Sequence, residues 1–523
     1  MNLNTQFVFD GKLKRNLIIG MALGFVCLLL SLVGDDEYHT RFWTNYLHNT
    51  VYFTGIAFTA MFFLSAQITA FGGWIATVKR IWEAMSQFML VGLVLLLVVT
   101  AGVWGLIPNF KLYHWTTDGL TDPNSPLFDR VIAGKSGFLS PFFYTIGVIG
   151  FLGLWYFWAY KMRQVSVMQD EHETASFDYY KKQRKWAASF LPLGGFLSTV
   201  FLWEAIMSID PHWYSTMFAW YSTISMLLGG LSLMIMIIIY LQSKGYLQYV
   251  TRDHLHDLGK YLFGISVFWA YLWFDQFMLI WYANVGEETI YFKERMNEYP
   301  VLFWGNLLLN FVTPFLILMR NDTKRKMGTM FFVCVIVFFG HWWDFFYMIK
   351  PGARTAAYEA KEISEGKHNT KHEAAPLSNT SHPEAAEQHS AATPAEHADH
   401  SHAADSMAAG QETSAAAPAV ESASVASAGA EESHGDAHGD THGEVGHHGD
   451  KGFKIGVTIP GLQEIGALIG FLCLFLFFFY RQLERASLLP MKDPFLEESM
   501  HHSTGAHIDS EMENEGHGGG HGH

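Results

Sequence analysis

Residues 258–282, LGKYLFGISVFWAYLWFDQFMLIWY, decide the class of the fold. The run is long enough to cross a bilayer and rich in aromatics, and between Lys260 and Tyr282 its one charged residue is Asp275. With a helical rise of about 1.5 Å per residue, Asp275 falls roughly 25 Å along the span from Leu258. That position lies within a hydrocarbon core about 30 Å thick. A carboxyl group at such depth is costly, so it is expected to face protein or trapped water and to have a partner.

Working outward, the same pattern recurs. Hydrophobic residues make up 50% of the chain and aromatics 16%, more than in ordinary soluble domains. Charge is sparse in ten blocks, at about 16–34, 50–74, 85–107, 138–160, 187–208, 214–242, 258–283, 301–320, 327–349 and 461–480, each long enough for a transmembrane helix. The first follows Lys12, Lys14 and Arg15 but is long and lacks a small-residue cleavage site, so no cleavable signal peptide is expected. Basic residues alternate between loops, most clearly in KMRQ…YYKKQRK and RNDTKRK. They predict ten spans with both termini cytoplasmic. The net charge of −15 comes largely from two low-complexity segments and says little about the membrane body. Nothing in the composition points to nucleic acid.

The expected organisation is all-α. Residues 1–352 form a membrane body of nine spans. Residues 353–450, rich in His, Ala and Glu, form a loop on the outer side with almost no large apolar residue to build a core. Residues 451–485 carry the tenth helix, and 486–523 a cytoplasmic His-rich tail. Within the body, Trp203-Glu204 precedes Pro211, and Trp343-Asp344 precedes Pro351, at the same spacing. This suggests two parallel four-helix repeats, about 50–208 and 214–349. Pro314 should loosen or kink span eight.

Candidate chemistry lies in the outer part of the spans. Glu204 falls about 27 Å along span five, and Asp275 and Asp344 about 25 Å along spans seven and nine. His341 is one turn below Asp344 on the same helical face. Three carboxyls and an imidazole at one level suit proton transfer or contact with the two oxygens of a quinol, whose oxidation releases two protons with two electrons. The same groups also suit buried hydrogen bonds that join helices. Tyr271, Met278 and Tyr282 share a face with Asp275, as a quinone ring cleft requires and as packing or an aromatic belt also produces. Asp210 and His212 flank Pro211 at the surface, as a proton exit or an exposed turn. Cys27, Cys334 and Cys473 lie in three different spans and form no CxxC or CxxCH motif, so no iron–sulfur or c-type haem site is expected. With His341 the one histidine placed deep in a span, haem b is not expected either. Twelve histidines in the loop and six in the tail are irregularly spaced, so no formed metal site is expected.

The runs WEAIMSIDPHWYST, HLHDLGKYLFGISVFWAYLWFDQFMLIWYANVGEETIYF and NLLLNFVTPFLILMRNDTKR resemble the ActF-like, NrfD/PsrC-family membrane subunits of bacterial alternative complex III, over about residues 10–350 and the last span. The resemblance implies two four-helix bundles plus two peripheral helices, and a role within a quinol:cytochrome c or terminal oxidase-linked oxidoreductase rather than catalysis alone. It implies menaquinol or another quinol as the redox partner molecule. It also implies partner subunits: an iron–sulfur protein, multihaem cytochromes c carrying haem c, and a sister NrfD-like subunit, with a terminal oxidase as a possible supercomplex partner. Asp275 and the acid of WEAIMSIDPHW match its polar positions. The long His-rich insertion departs from it. Rival readings are the quinone-binding anchor of a molybdopterin or polysulfide-type reductase, a proton-coupled transporter using Glu204 and Asp275, and a structural scaffold.

Overall fold

The computed structural model describes residues 6–171, 177–366 and 459–503, all within one compact unit. Inner and outer ends are named by the orientation that the basic residues predict. No strand occurs among the described residues. Ten helical segments among these residues are long and apolar enough to cross a membrane: Gly11–Leu30, Thr40–Thr69, Gly73–Val103, Pro141–Asp170, Phe177–Ile209, Thr216–Ser243, Arg252–Ala283, Pro300–Leu318, Met327–Ser364 and Leu462–Leu483. They are spans one to ten.

Local chemistry sets several boundaries. Thr251 starts span seven, its hydroxyl and backbone N–H both meeting the His254 ring. The span stops at Asn284, which takes the left-handed conformation at φ 48° that Asn tolerates better than most residues. Proline opens spans four and eight, at Pro141 and Pro300, where a missing N–H costs nothing. Both of these spans contain a π-helical turn, Ile146–Phe151 and Leu308–Val312. The second lies just before Pro314, whose ring removes a hydrogen bond to the preceding turn. The loosening expected at Pro314 takes this form.

Spans two to five close on one another as a four-helix bundle, and spans six to nine close as a second. Span two also packs on spans six and nine, so it forms the seam between them. A side chain at Gly229 would meet the Tyr52 hydroxyl at 2.5 Å, which explains why the seam admits glycine there. Spans one and ten pair at the periphery. Gly24 and Gly470 bring the two backbones together, while Cys473 and Cys27 fill the space over Gly20 and Gly466. Gly20/Gly24 and Gly466/Gly470 are small-residue pairs at four-residue spacing, the pattern that lets membrane helices approach closely. Span ten is fixed to span two by Arg41, which grips Glu464 with two hydrogen bonds of 2.7 and 3.0 Å.

Three sequence boundaries move. Span two begins at Thr40 rather than near residue 50, so His48 lies inside it, fully buried, with Nε2 2.8 Å from the Trp342 carbonyl. Residues 353–364 are not part of a featureless loop: span nine runs on to Ser364. There, Ala353, Ala356, Ala357 and Ala360 are buried, and Arg354 binds Glu298 at 2.6 Å. Alanine is the best helix former and packs without side-chain entropy loss, which is why a stretch so poor in large apolar residues still folds here. The tail is also folded as far as the described residues go. Leu488, Leu489 and Leu496 are buried, Asp493 binds Lys79 at 2.7 Å, and His502 binds Asp257 at 2.6 Å. The remainder of the predicted loop and tail, including most of their histidines, lies outside the described residues.

Candidate functional site

Asp344 is the centre of the second bundle. It has no exposed surface, and each of the other three helices supplies it with a donor. From span six, the Tyr221 hydroxyl donates to Oδ1 and the Ser225 hydroxyl to Oδ2 at 2.8 Å. From span seven, the Trp269 indole N–H donates to Oδ2 at 3.0 Å. From span eight, the Asn306 amide donates to Oδ1 at 2.7 Å. Asn306 is itself oriented by Asn310, whose amide donates to it at 2.6 Å and to the Gly340 carbonyl at 2.9 Å. A side chain at residue 340 would occupy the Asn310 oxygen, so Gly340 makes room for this second amide.

His341 joins the same network through Ser225. Its Nδ1 lies 2.9 Å from Ser225 Oγ and 4.0 Å from Asp344 Oδ2. A serine hydroxyl has one proton. Since Ser225 gives that proton to Asp344, it receives one from His341 Nδ1. The result is a donor chain, His341 Nδ1–H to Ser225 O–H to Asp344 Oδ2. His341 Nε2 is buried without a hydrogen-bond partner, at the open end of the chain.

Glu204 occupies the corresponding place in the first bundle but has a different environment. It is buried, and neither carboxyl oxygen has a hydrogen-bond partner. Oε2 presses on the π turn of span four, where a Cβ on Gly147 would lie 1.8 Å from it. Two buried phenols stand in its electrostatic field, Tyr113 and Tyr144. Their hydroxyls meet each other at 3.1 Å, and Tyr113 donates to the Ala205 carbonyl at 2.8 Å.

The outer end is sealed by ion pairs. Arg295, on the helix Gly286–Glu298, is wholly buried and binds Asp210 at 3.0 Å. Its guanidinium lies 3.3 Å above the Tyr291 ring, which stacks on Trp213 at 3.7 Å. Burial pushes neighbouring Glu294 up to about 7, with Arg295 opposing the rise. His212 binds Asp129 at 2.6 Å. Burial alone would raise the Asp129 carboxyl, but the hydrogen bonds from His212 and the backbone N–H groups of Ile132 and Val131 hold it well below its ordinary value. Burial alone would lower His212, but the Asp129 contact and the charge of Glu359 raise it.

Of the four intramembrane groups predicted to share one cluster, the structure brings together His341 and Asp344. Glu204 stands in the other bundle and shares no hydrogen bond with them. Asp275 is half-buried on the outward side of span seven, with no hydrogen bond or ion pair among the described residues, while Trp269, Trp273 and Gln276 face inward. Tyr271, Met278 and Tyr282 are all exposed, so these residues present an outer surface. Asp210 and His212 are each held in an ion pair. The donors to Asp344 went unpredicted. Asn306 and Asn310, four residues apart in an apolar span, were the available signal, because two amides on one membrane helix face require polar partners.

The fold and its interior define a helical multi-pass membrane protein with ten spans and a buried carboxyl in each of two bundles. No protein-family model and no curated protein matches the chain.

Proposed function

We propose that this chain is a proton-conducting membrane subunit of a quinol-oxidising respiratory complex, its redox centres being those of partner subunits. The observation that supports this most is the chain from His341 through Ser225 to Asp344, in which each link already holds the proton it would pass on. When His341 Nε2 takes up a proton, Nδ1 releases its own to Ser225 Oγ, and Ser225 releases its hydroxyl proton to Asp344 Oδ2. The histidine ends neutral in its other tautomer, the serine is unchanged and the carboxylate is protonated. One proton enters and one is stored. Quinol oxidation supplies protons in that form, and the sequence runs that resemble alternative complex III subunits connect the relay to quinol.

Asp344→Asn keeps the shape and part of the hydrogen bonding but cannot store the proton. In the assembled complex it should lower quinol-driven turnover and proton release by about a hundredfold or more, the range of a lost proton-transfer group, with assembly near normal. Wild-type turnover and proton release in a fully assembled Asn variant would refute the relay.

A further inference from the structure

The outward side of span seven raises a question that the relay does not answer. Phe268, Tyr271, Phe274, Met278 and Tyr282 are all exposed, Tyr271 by 58% and Tyr282 by 83%. Exposed aromatics alone are ordinary on a membrane helix. Asp275 in their midst is not. It lies about 9 Å below Trp281, counted at the helical rise, and Trp281 and Tyr282 mark the level where aromatic belts meet headgroups. An aspartate side chain is too short to snorkel that distance, and lipid tails offer no hydrogen bond. The chain itself provides no partner either: no donor reaches Asp275 among the described residues. Its inward neighbour Gln276 is buried with its amide nitrogen unpaired, so the interior does not turn toward the acid.

We infer that this face is a docking surface for a membrane span of a different protein, one that carries a hydrogen-bond donor or a cation at the level of Asp275. Charge complementarity selects that occupant. Lipid cannot satisfy the carboxyl. A second copy of this chain packed on the same face would set one acid against another at the same depth. A helix bearing Lys, Arg, His, Asn, Gln or Ser at that level both satisfies Asp275 and buries the flanking aromatics. Small, well-placed polar contacts of this kind are what join membrane helices, since the bilayer provides no hydrophobic drive between them. The inference is independent of the relay, because Asp275 shares no contact with His341, Ser225 or Asp344.

The test uses the full chain in its native membrane, with the photo-crosslinker p-benzoylphenylalanine placed at Tyr271 or at Met278. The expected result is an adduct with a second polypeptide, mapped by mass spectrometry to a membrane span that has a polar or basic residue within one turn of the attachment point. Adding Asp275→Leu should lower the yield by about fivefold, the scale of one interhelical hydrogen bond in a bilayer, whereas Phe274→Leu should leave it nearly unchanged. Several results would overturn the inference: an adduct of two copies of this chain, adducts with lipid alone, a partner span without a polar group, or a yield indifferent to Asp275→Leu. Labelling of Tyr271 or Met278 by a photoreactive quinone, in place of a polypeptide adduct, would assign the face to a quinol and overturn it as well.

Discussion

Glu204 and Asp344 occupy the same place in two bundles and meet opposite fates. Each follows a tryptophan, and each precedes a proline at the same spacing. Each faces a helix that begins with proline and contains a π turn. Six residues after those prolines stand Gly147 in the first bundle and Asn306 in the second. The asparagine donates to Asp344, whereas the glycine has nothing to donate and leaves only enough space for Glu204. One scaffold therefore holds a carboxyl with four donors and another with none. Depth in the membrane does not distinguish them. The donor set does, and it is why the relay is assigned to the second bundle.

Leucine at the two positions should separate their environments by the largest margin. Asp344→Leu leaves Tyr221, Ser225, Trp269 and Asn306 without their acceptor, and should cost about 3–5 kcal/mol, as removing one member of a buried polar network does. Glu204→Leu removes a buried carboxyl that nothing binds, and should be neutral or stabilising. Thermal unfolding of the solubilised chain measures both. Equal losses at the two sites would mean that the Glu204 carboxyl is bound in the folded chain as firmly as Asp344, and would contradict the contrast.

A smaller effect tests the close contact at the π turn. Gly147→Ala forces a methyl group onto Glu204 and should cost about 1–3 kcal/mol, the usual penalty for overpacking. Glu204→Ala should recover most of that loss in the double variant, because the clash is with the carboxyl itself. Without recovery, the glycine would be required by the backbone and not by the neighbouring acid.

The smallest effect lies in the outer layer and depends on pH. Glu294 is raised from 4.5 to about 7, so the folded state binds its proton more tightly than the unfolded state, and stability falls as pH rises between those values. His212 is raised from 6.5; its contribution is complete below that value and is lost as pH rises through its folded pKa. Asp129 is lowered from 3.8; its contribution is present above that value and lost only as pH falls through the lowered one. All three contributions are complete together only near pH 4 to 4.5, and the layer loosens steadily from there toward pH 8. Hydrogen exchange over residues 286–298, corrected for intrinsic rates, should show less protection at pH 8 than at pH 6, and Glu294→Gln should reduce the difference.

The fold was far easier to read from the sequence than the site. Twenty-residue apolar runs and alternating basic loops report the membrane directly, and the repeated tryptophan–acid–proline spacing pointed to the two bundles. Helix count and order followed from those signals alone. The site depends on rotation about each helix axis, which hydropathy does not report. Asp275 and Gln276 are adjacent in sequence, yet one faces outward and the other inward. Spacing linked His341 to Asp344 because both lie on one helix. It could not show that Ser225, on another helix, stands between them. The folded alanine stretch at 353–364 was missed for a related reason: small residues bury well when a neighbour approaches closely, and composition alone does not reveal the neighbour.

If Ser225 passes a proton between His341 and Asp344, proton release per quinol oxidised in the assembled complex should depend on the hydroxyl at residue 225. Ser225→Ala leaves both titratable groups in place but removes the hydroxyl between them, whereas Ser225→Thr restores a hydroxyl at the same position. Alanine should lower proton release and turnover together by about a hundredfold, the low end of what a positioned proton-transfer group contributes, and threonine should restore much of both. Unchanged proton release in the alanine variant, with the complex intact, would contradict the relay.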